Sequence, residues 1–411
     1  MRRVVITGLG MVAPTGNCVQ DAWKAALACR SGAGRITSFD LDAWPDLTVH
    51  IAAEVKNFDP TIALSLKEAR QATRFVQLTA VAMHEAVHDS GLDLTGNTDR
   101  YGCSIGVGLG AFGDIELEAQ RFKERGPRRV SPLMIPYAIP NMAAGFGAIA
   151  ENLRGPNFCT ATACASGTHA IGEAWMHILF DNADVMVAGG SEASTSPMSI
   201  ACFAKMRALS TRNDDPGSAS RPFDADRDGF VMGVGSGSIV LEELEHAKRR
   251  GARIYAELVG YGLSCDAYHI TSPPAEGEGA ARCIQMALRN IPIDEVDYIN
   301  AHGTSTQVND AIESTAIETV FGPRAQKVSI SSTKGVTGHC LGAAGAIEAV
   351  YTSLAVHQGV IPPTANLDRP GPLCNLDYTP KEPRERKIRY ALSNSFGFGG
   401  HNACIGFKRY E

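Results

Sequence analysis

Two stretches of this chain follow one design: a short strand-like run, a residue able to do chemistry, then a helix that opens on small residues. In the first, NFCTATA at 157–163 leads to Cys164, and the next helix sets Ile171, Ala174, Trp175, Ile178 and Leu179 at the i, i+3, i+4, i+7, i+8 spacing of one face. In the second, VSISSTKGVTGH ends on His339 and runs into CLGAAGAIEAVYTSLAV, where Ile347, Val350, Tyr351 and Leu354 recur at helical spacing. The shared pattern of elements points to two related halves meeting near residue 250, at 1–250 and 251–411. Short β-rich runs at 3–7, 184–188, 237–241, 296–300 and 328–331 alternate with longer helical stretches, so the expected class is layered α/β.

With 411 residues, 44% of them hydrophobic, the chain can bury a large core in two such halves. A formal charge of -6 argues against a general nucleic-acid binder. The eleven cysteines are scattered and odd in number, with no CxxC pair, which suits a reducing compartment. The opening MRRVVITGLGMVAPTG has only a short apolar run broken by glycines and Pro14, so neither a secretory signal nor a membrane span is expected and a cytoplasmic location is. Gly8, Gly10 and Ala13 match a dinucleotide-binding pattern only if it is read generously. Pro14 falls where the phosphate-binding helix should run, and no acidic residue follows at the required distance, so a tight turn after the strand is expected.

Cys164 lies where a small-residue strand meets an amphipathic helix. The helix dipole there should favour thiolate and lower the thiol pKa, as a nucleophile for thioesters requires. Ala163, Ala165, Ser166 and Gly167 leave room for a carbonyl to approach the Cys164 amide as an oxyanion-hole donor; Cys159 fits an inert buried thiol better. His302 follows the apolar strand VDYI, with Gly303, Thr304, Ser305 and Thr306 behind it, at the kind of strand end where α/β folds place chemistry. His339 sits five residues after Lys334 near a helix start, where a neutral imidazole could donate to a thioester oxygen as an enolate forms. His84 and His88 share a helical face without an evident third ligand, so no metal is expected. SNSFGFGGHN near the C-terminus reads as either a tight strand connection or a mobile gate, with Phe396 and Phe398 supplying an apolar lining.

Taken together, TACASG around Cys164, NAHGTST around His302, STKGVTGHCLGAAGAIE from Ser332 to Glu348 and NSFGFGGHN resemble, in order and spacing, the elongating condensing enzymes of dissociated fatty-acid synthesis. AGGSEA, RALSTRNDDP and SRPFDADRDGFVMG extend the likeness over essentially the whole chain. The resemblance implies a thiolase-like fold, two βαβαβαββ halves in a five-layered αβαβα sandwich, assembled as a homodimer. It implies that Cys164 carries the acyl group, that His302 and His339 bind the malonyl thioester carbonyl, and that Lys334, supported by Glu348, orders the charges. The amides of Cys164 and Phe398 would form the oxyanion hole. Thr304 and Thr306 would contact pantetheine, and Leu109, Phe203 and Phe398 would read acyl-chain length. No bound cofactor is implied, because the phosphopantetheine belongs to the acyl carrier protein. Candidate contacts for that acidic partner are Lys67, Arg70, Arg74, Arg128, Arg129 and Arg207. Val234, His401 and Gln307 depart from the usual acidic residue, threonine and proline. A ketosynthase of a type II polyketide-like pathway is the alternative, since it uses the same Cys-His-His set. A thiolase fits less well without a second C-terminal cysteine in that role, and a chain-length partner subunit would lack the nucleophile.

Overall fold

The repeat in the sequence is a repeat of topology. The structure, a computed structural model, describes residues 2–411. Its first half runs β1 (Val4–Val12), α1 (Arg74–Ser90), β2 (Tyr101–Val107), α2 (Met142–Ala150), β3 (Asn157–Thr160), α3 (Ser166–Leu179), β4 (Val185–Glu192) and β5 (Gly235–Glu243). Its second half runs β6 (Ala256–Cys265), α4 (Glu278–Ala287), β7 (Val296–Asn300), α5 (Gln307–Phe321), β8 (Ser329–Ser331), α6 (Ala344–Gln358), β9 (Tyr390–Gly397) and β10 (His401–Lys408). Further helices, the 14-residue Phe112–Arg125 among them, and two small two-stranded sheets are inserted between these elements. Both halves therefore read βαβαβαββ.

The sheet order β8-β7-β9-β10-β6-β1-β5-β4-β2-β3 is the same 1-5-4-2-3 order written outward twice from the centre. In each half the last two strands and the first pair antiparallel, whereas the outer three are parallel. Parallel neighbours need crossover helices, and α2, α3, α5 and α6 supply them. The halves join edge to edge over three residues, Val4–Ile6 against Ala256–Leu258. Helices α3 and α6 pack on each other between the half-sheets, α1 and α2 cover the outside of one, and α4 and α5 cover the other. These are the five layers of the thiolase-like fold.

Layer position explains where the helical patterns hold. On α3, Ile171, Ala174 and Ile178 are fully buried, and Trp175 and Leu179 are partly so. On α6, every residue from Ala344 to Val356 is buried. The single apolar face expected at Ile347, Val350, Tyr351 and Leu354 is too narrow a reading, because an inner-layer helix meets protein all round.

The expected turn follows the strand, where Ala13 and Gly16 exchange N–H···O bonds at 2.9 and 3.0 Å, but Gly8 and Gly10 are not part of it. β1 continues through them to Val12, with a register shift against β5 between Ile6 and Gly8, and a Cβ on Gly8 or Gly10 would come within 2.1 Å of the Ala86 carbonyl oxygen or 1.9 Å of the Ala82 carbonyl oxygen. They let α1 lie directly on the strand backbone. No described helix is long and apolar enough to cross a membrane.

Candidate active site

Cys164 sits in a single 3-10 turn, Ala163–Ala165, between β3 and α3. The strand ends at Thr160, three residues earlier than the sequence pattern suggests, because the backbone must turn sharply to bring the thiol to the helix end. Ala163 takes φ 51, in the left-handed region that side chains avoid. Ser166 holds this turn: its hydroxyl accepts from the Thr162 N–H at 2.9 Å and donates to the Ala163 carbonyl at 2.7 Å.

The thiol is not the pre-formed thiolate that the helix dipole suggests. Burial pushes Cys164 up to about 12, while the positive charge of Lys334 and the N–H groups of Phe398 and Cys164 itself pull the other way. Desolvation of a nearly enclosed sulfur outweighs the field of a helix that begins only at Ser166. Those same two amides are the donors expected for an oxyanion hole. Cys159 is half-buried and burial pushes it up to about 11, so protonation does not set it apart from Cys164; it differs in not lining the cavity that Cys164 lines.

His302 closely follows β7, whereas His339 lies beyond the adjacent parallel strand β8, after the short helix Lys334–Thr337. Their rings meet edge to face with centroids 5.3 Å apart. Burial, then the charge of Lys334, holds both well below the ordinary histidine range, so both are neutral and each can donate one N–H. The His339 N–H donates to the Val231 carbonyl (2.7 Å) and its own carbonyl accepts from Gly233 (2.9 Å), which pins it to the 230–234 segment. Lys334 and Glu348 form a buried ion pair. Burial lifts the Glu348 carboxyl, and the ammonium draws it back down.

Cys164, His302, His339, Thr304, Thr306, Phe203 and Phe398 all line one cavity of about 430 Å³. The two threonine hydroxyls lie 2.9 Å apart. Phe398 stands at the tip of the β9–β10 hairpin, where Gly399 and Gly400 take φ 86 and 74. This tip is bound to the loop after β6: the Gly399 N–H donates to the Ile270 carbonyl at 2.7 Å, and the Asp266 N–H to Gly400 at 2.9 Å. Leu109 is placed differently from Phe203 and Phe398. It does not line the cavity; it packs in the apolar cluster that backs Cys164, with Ile200, Phe203, Phe230 and Leu341.

The six basic residues proposed for the carrier do not form one set. Only Arg207 lines the cavity. Lys67 and Arg70 are exposed on the short helix Leu66–Gln71, and Arg128 and Arg129 on the turn Pro127–Arg129. Arg74 is partly buried with its guanidinium 4.3 Å from the centre of the Phe58 ring, so packing accounts for it.

The departures are absorbed locally. Val234 is buried among Val12, Val55, Leu78 and Val81, a setting that excludes an unpaired carboxylate. Gln307 lines the cavity and is held through its backbone carbonyl, which accepts from Arg227 at 2.9 Å. His401 opens β10 beside His169, which burial and the charge of His401 hold down at about 4. His84 pairs with Glu151 at 3.0 Å.

Buried acids that the motifs do not single out position the site. Glu313 accepts from the N–H groups of His302 (2.8 Å) and Gly303 (2.7 Å), and burial lifts it to about 7. Asp310 accepts from Phe223 (2.8 Å) and Ser305 (3.2 Å). Both lie on one face of α5, three residues apart, directly after the NAHGTST loop; that spacing was the available signal.

The beta-ketoacyl synthase N-terminal domain profile matches residues 1–247 and the C-terminal domain profile residues 255–368. The chain is 50% identical to 3-oxoacyl-[acyl-carrier-protein] synthase 2 of Coxiella burnetii, over 99% of both chains, and 49% identical to the protein of that name from Synechocystis, over 100% of this chain and 99% of the other. A beta-ketoacyl synthase from Burkholderia phymatum superposes over the whole of both chains with a TM-score of 0.93 at 36% identity. A type II PKS ketosynthase solved in complex with its acyl-carrier protein does so at 0.92 and 35%. With both domains matched and relatives similar from end to end, this chain belongs to the beta-ketoacyl synthase family of condensing enzymes.

Proposed function

We propose that the protein is a 3-oxoacyl-[acyl-carrier-protein] synthase that elongates a carrier-bound acyl chain by decarboxylative Claisen condensation. The observation that carries the reading is the meeting of one thiol and two neutral imidazoles in a single apolar-walled cavity. The Cys164 sulfur attacks the acyl thioester carbonyl, and the oxyanion takes hydrogen bonds from the amides of Cys164 and Phe398. The intermediate collapses with loss of the pantetheine thiol, which leaves with the proton of Cys164. A malonyl thioester then occupies the cavity with its carbonyl oxygen on His302 and His339, and its arm against Thr304 and Thr306. Breaking the bond to the carboxylate releases carbon dioxide and leaves its electron pair in an enolate, whose oxygen the two N–H donors stabilise. The enolate carbon attacks the acyl-Cys164 carbonyl; a C–C bond forms, the S–C bond breaks, and the thiolate takes up a proton.

Neutral histidines suit this role, since imidazolium would protonate the enolate instead of steadying it. Burial is what chiefly keeps them neutral, and the positive charge of Lys334 adds to it. The thiol comes from 1–250 and both imidazoles from 251–411, so the work is divided between the proposed halves. Burial of the resting thiol supports the view that the proton leaves only as substrate fills the cavity.

The partner is an acidic acyl carrier protein, with Arg207 at the cavity the best-placed contact. The phosphopantetheine arrives with that partner, and no resident cofactor is invoked. A cytoplasmic homodimer is part of the reading, and the exposure of Ile115, Leu117, Phe122 and Ile135 along one segment supports the dimer. Incubating the purified protein with acyl and malonyl carriers tests the function: acyl label on Cys164, carbon dioxide and a 3-oxoacyl carrier are expected. Label on another cysteine overturns it. Preference for an unreduced 3-oxoacyl chain over a saturated one would favour the polyketide alternative.

A further inference from the structure

The two halves place a loop at equivalent positions after β2 and β7. The second carries His302 and is held by the buried carboxylate of Glu313. The first, Gly108 to Gly110, has a carboxylate of its own. Glu192 ends β4 with no exposed surface and accepts from the N–H groups of Gly108 (3.1 Å), Leu109 (2.9 Å) and Gly110 (2.7 Å). It also accepts from the Ser194 hydroxyl (2.7 Å) and, across the interface between halves, from the N–H of Gly342 (3.2 Å). Five donors on one buried acid exceed what closing a turn requires.

The backbone around this acid leaves no room for side chains. A Cβ on Gly108 would lie 2.4 Å from Glu192 Oε2, and one on Gly342 2.2 Å from the Gly108 nitrogen. What the clamp holds bears on the reactive sulfur. Leu341, immediately before Gly342, lines the cavity and takes φ 44, a conformation that must be enforced from outside. Leu109 and Leu341 both pack in the cluster around Cys164.

We propose that Glu192 is a positioning residue for acyl-chain selection: by tying Leu109 and Leu341 to one carboxylate, it fixes the wall behind Cys164 against which the acyl chain of the first substrate is measured. The proposal rests on the condensing reading above and assigns Glu192 no contact with substrate. Loosening the clamp should change which acyl chains are accepted and leave malonyl decarboxylation alone, because the two histidines are held by Glu313 and the 230–234 segment.

The test compares Glu192→Gln and Gly108→Ala with the parent enzyme. The first keeps the volume but replaces an acceptor by a donor facing the Gly110 amide; the second keeps the acid and drives a methyl group into it. Acylation of Cys164 is followed by mass spectrometry with a short and a long saturated acyl carrier, and carbon dioxide release is measured with malonyl carrier alone. The ratio of long-chain to short-chain acylation should shift by about tenfold, the effect of orphaning one buried donor, with decarboxylation at the parent rate. Folded variants with an unchanged ratio, or an equal loss in every assay, overturn the proposal. Hydrogen exchange on the parent supplies a check that needs no variant: the amides of Gly108, Leu109, Gly110 and Gly342 should exchange as slowly as those of β4, and loop-like rates overturn the clamp. A parent that is not acylated at Cys164 at all refutes the condensing reading itself, which these outcomes keep separate.

Discussion

The ammonium of Lys334 meets the carboxylate of Glu348 with both side chains almost wholly enclosed, at 1% and 2% exposure, and its charge acts on both His302 and His339. Neither charge reaches water, so each is tolerable only because of the other. Lys334→Ala should therefore destabilise the protein by about 3 to 5 kcal/mol, the range for breaking a buried pair. Lys334→Ala combined with Glu348→Ala should recover part of that loss, because no orphan charge remains. Urea midpoints of the two variants check this. A double variant no more stable than Lys334→Ala would show that packing and not charge holds the pair.

Cys164→Ala should abolish acylation and condensation while leaving the fold and the decarboxylation of malonyl carrier in place. Alanine fits the volume of the thiol but supplies no nucleophile, and the histidines do not hydrogen-bond to it. Mass spectrometry after exposure to acyl carrier, together with carbon dioxide release, separates the two activities. Loss of both would tie the thiol to decarboxylation.

Removing either histidine should do the reverse. His302→Ala and His339→Ala should each slow carbon dioxide release by about a hundredfold or more, in the range seen on deleting one donor to a developing oxyanion. Parent rates in both variants would remove the imidazoles from enolate stabilisation.

The depressed histidines also set a pH dependence of stability. In the unfolded chain these imidazoles take up protons at about 6.5, whereas in the folded chain both stay neutral well below that. Below about pH 6.5 the unfolded state binds more protons, so stability should fall as pH drops and be flat in this term above it. A His302→Gln, His339→Gln double variant should show a shallower loss of urea midpoint between about pH 7.5 and 5.5 than the parent. Identical slopes would mean that other groups set the acid limit, His169 being the first candidate.

These predictions rest on residues that were legible before the structure, and the exceptions have physical causes. The 1-5-4-2-3 repeat is foreshadowed because local sequence carries the strand-turn-helix unit: the turn Ala163–Ala165 leads into α3 as the turn Leu341–Ala343 leads into α6. Cys164 and His302 stand out because each closely follows a short strand with small residues behind it, and His339 because it precedes the small-residue opening of α6. What sequence patterns did not carry is long-range closure. Glu192 acts on backbone amides 82 to 84 residues earlier and Glu313 on amides 10 and 11 residues earlier, and a carboxylate bound to N–H groups leaves no residue-type signature at its partners. The thiol state failed for a related reason: helix dipole and strand end are local, but the enclosure that pushes Cys164 up comes from Phe398, Leu341 and Phe203, all distant in sequence. Arg74 looked like its neighbours Lys67 and Arg70 until Phe58 was seen beneath it.

Chain length offers a test of the wall that Leu109 belongs to. Leu109→Phe adds bulk to a cluster already closed by Ile200, Phe230 and Leu341. Overpacking there should cost about 1 to 3 kcal/mol and be felt more by long chains, which need the space, than by short ones. Competition between short and long acyl carriers measures it. An unchanged profile in folded, active Leu109→Phe would place the end of the acyl site elsewhere.

The basic residues divide by what lies around them, and the last prediction uses that division. Arg207 is exposed beside the cavity, so Arg207→Glu should raise the KM for malonyl carrier with little change in kcat. The effect should shrink as salt is added, since an exposed charge acts over about a Debye length, roughly 10 Å at 0.1 M ionic strength. Arg74→Ala should instead leave KM alone and lower the thermal midpoint, because the loss is a guanidinium stacked on Phe58. Steady-state kinetics at two salt concentrations, paired with melting curves, assigns each residue. A salt-dependent KM change in Arg74→Ala, or none in Arg207→Glu, would move the carrier's docking surface away from the cavity and toward the helix Leu66–Gln71.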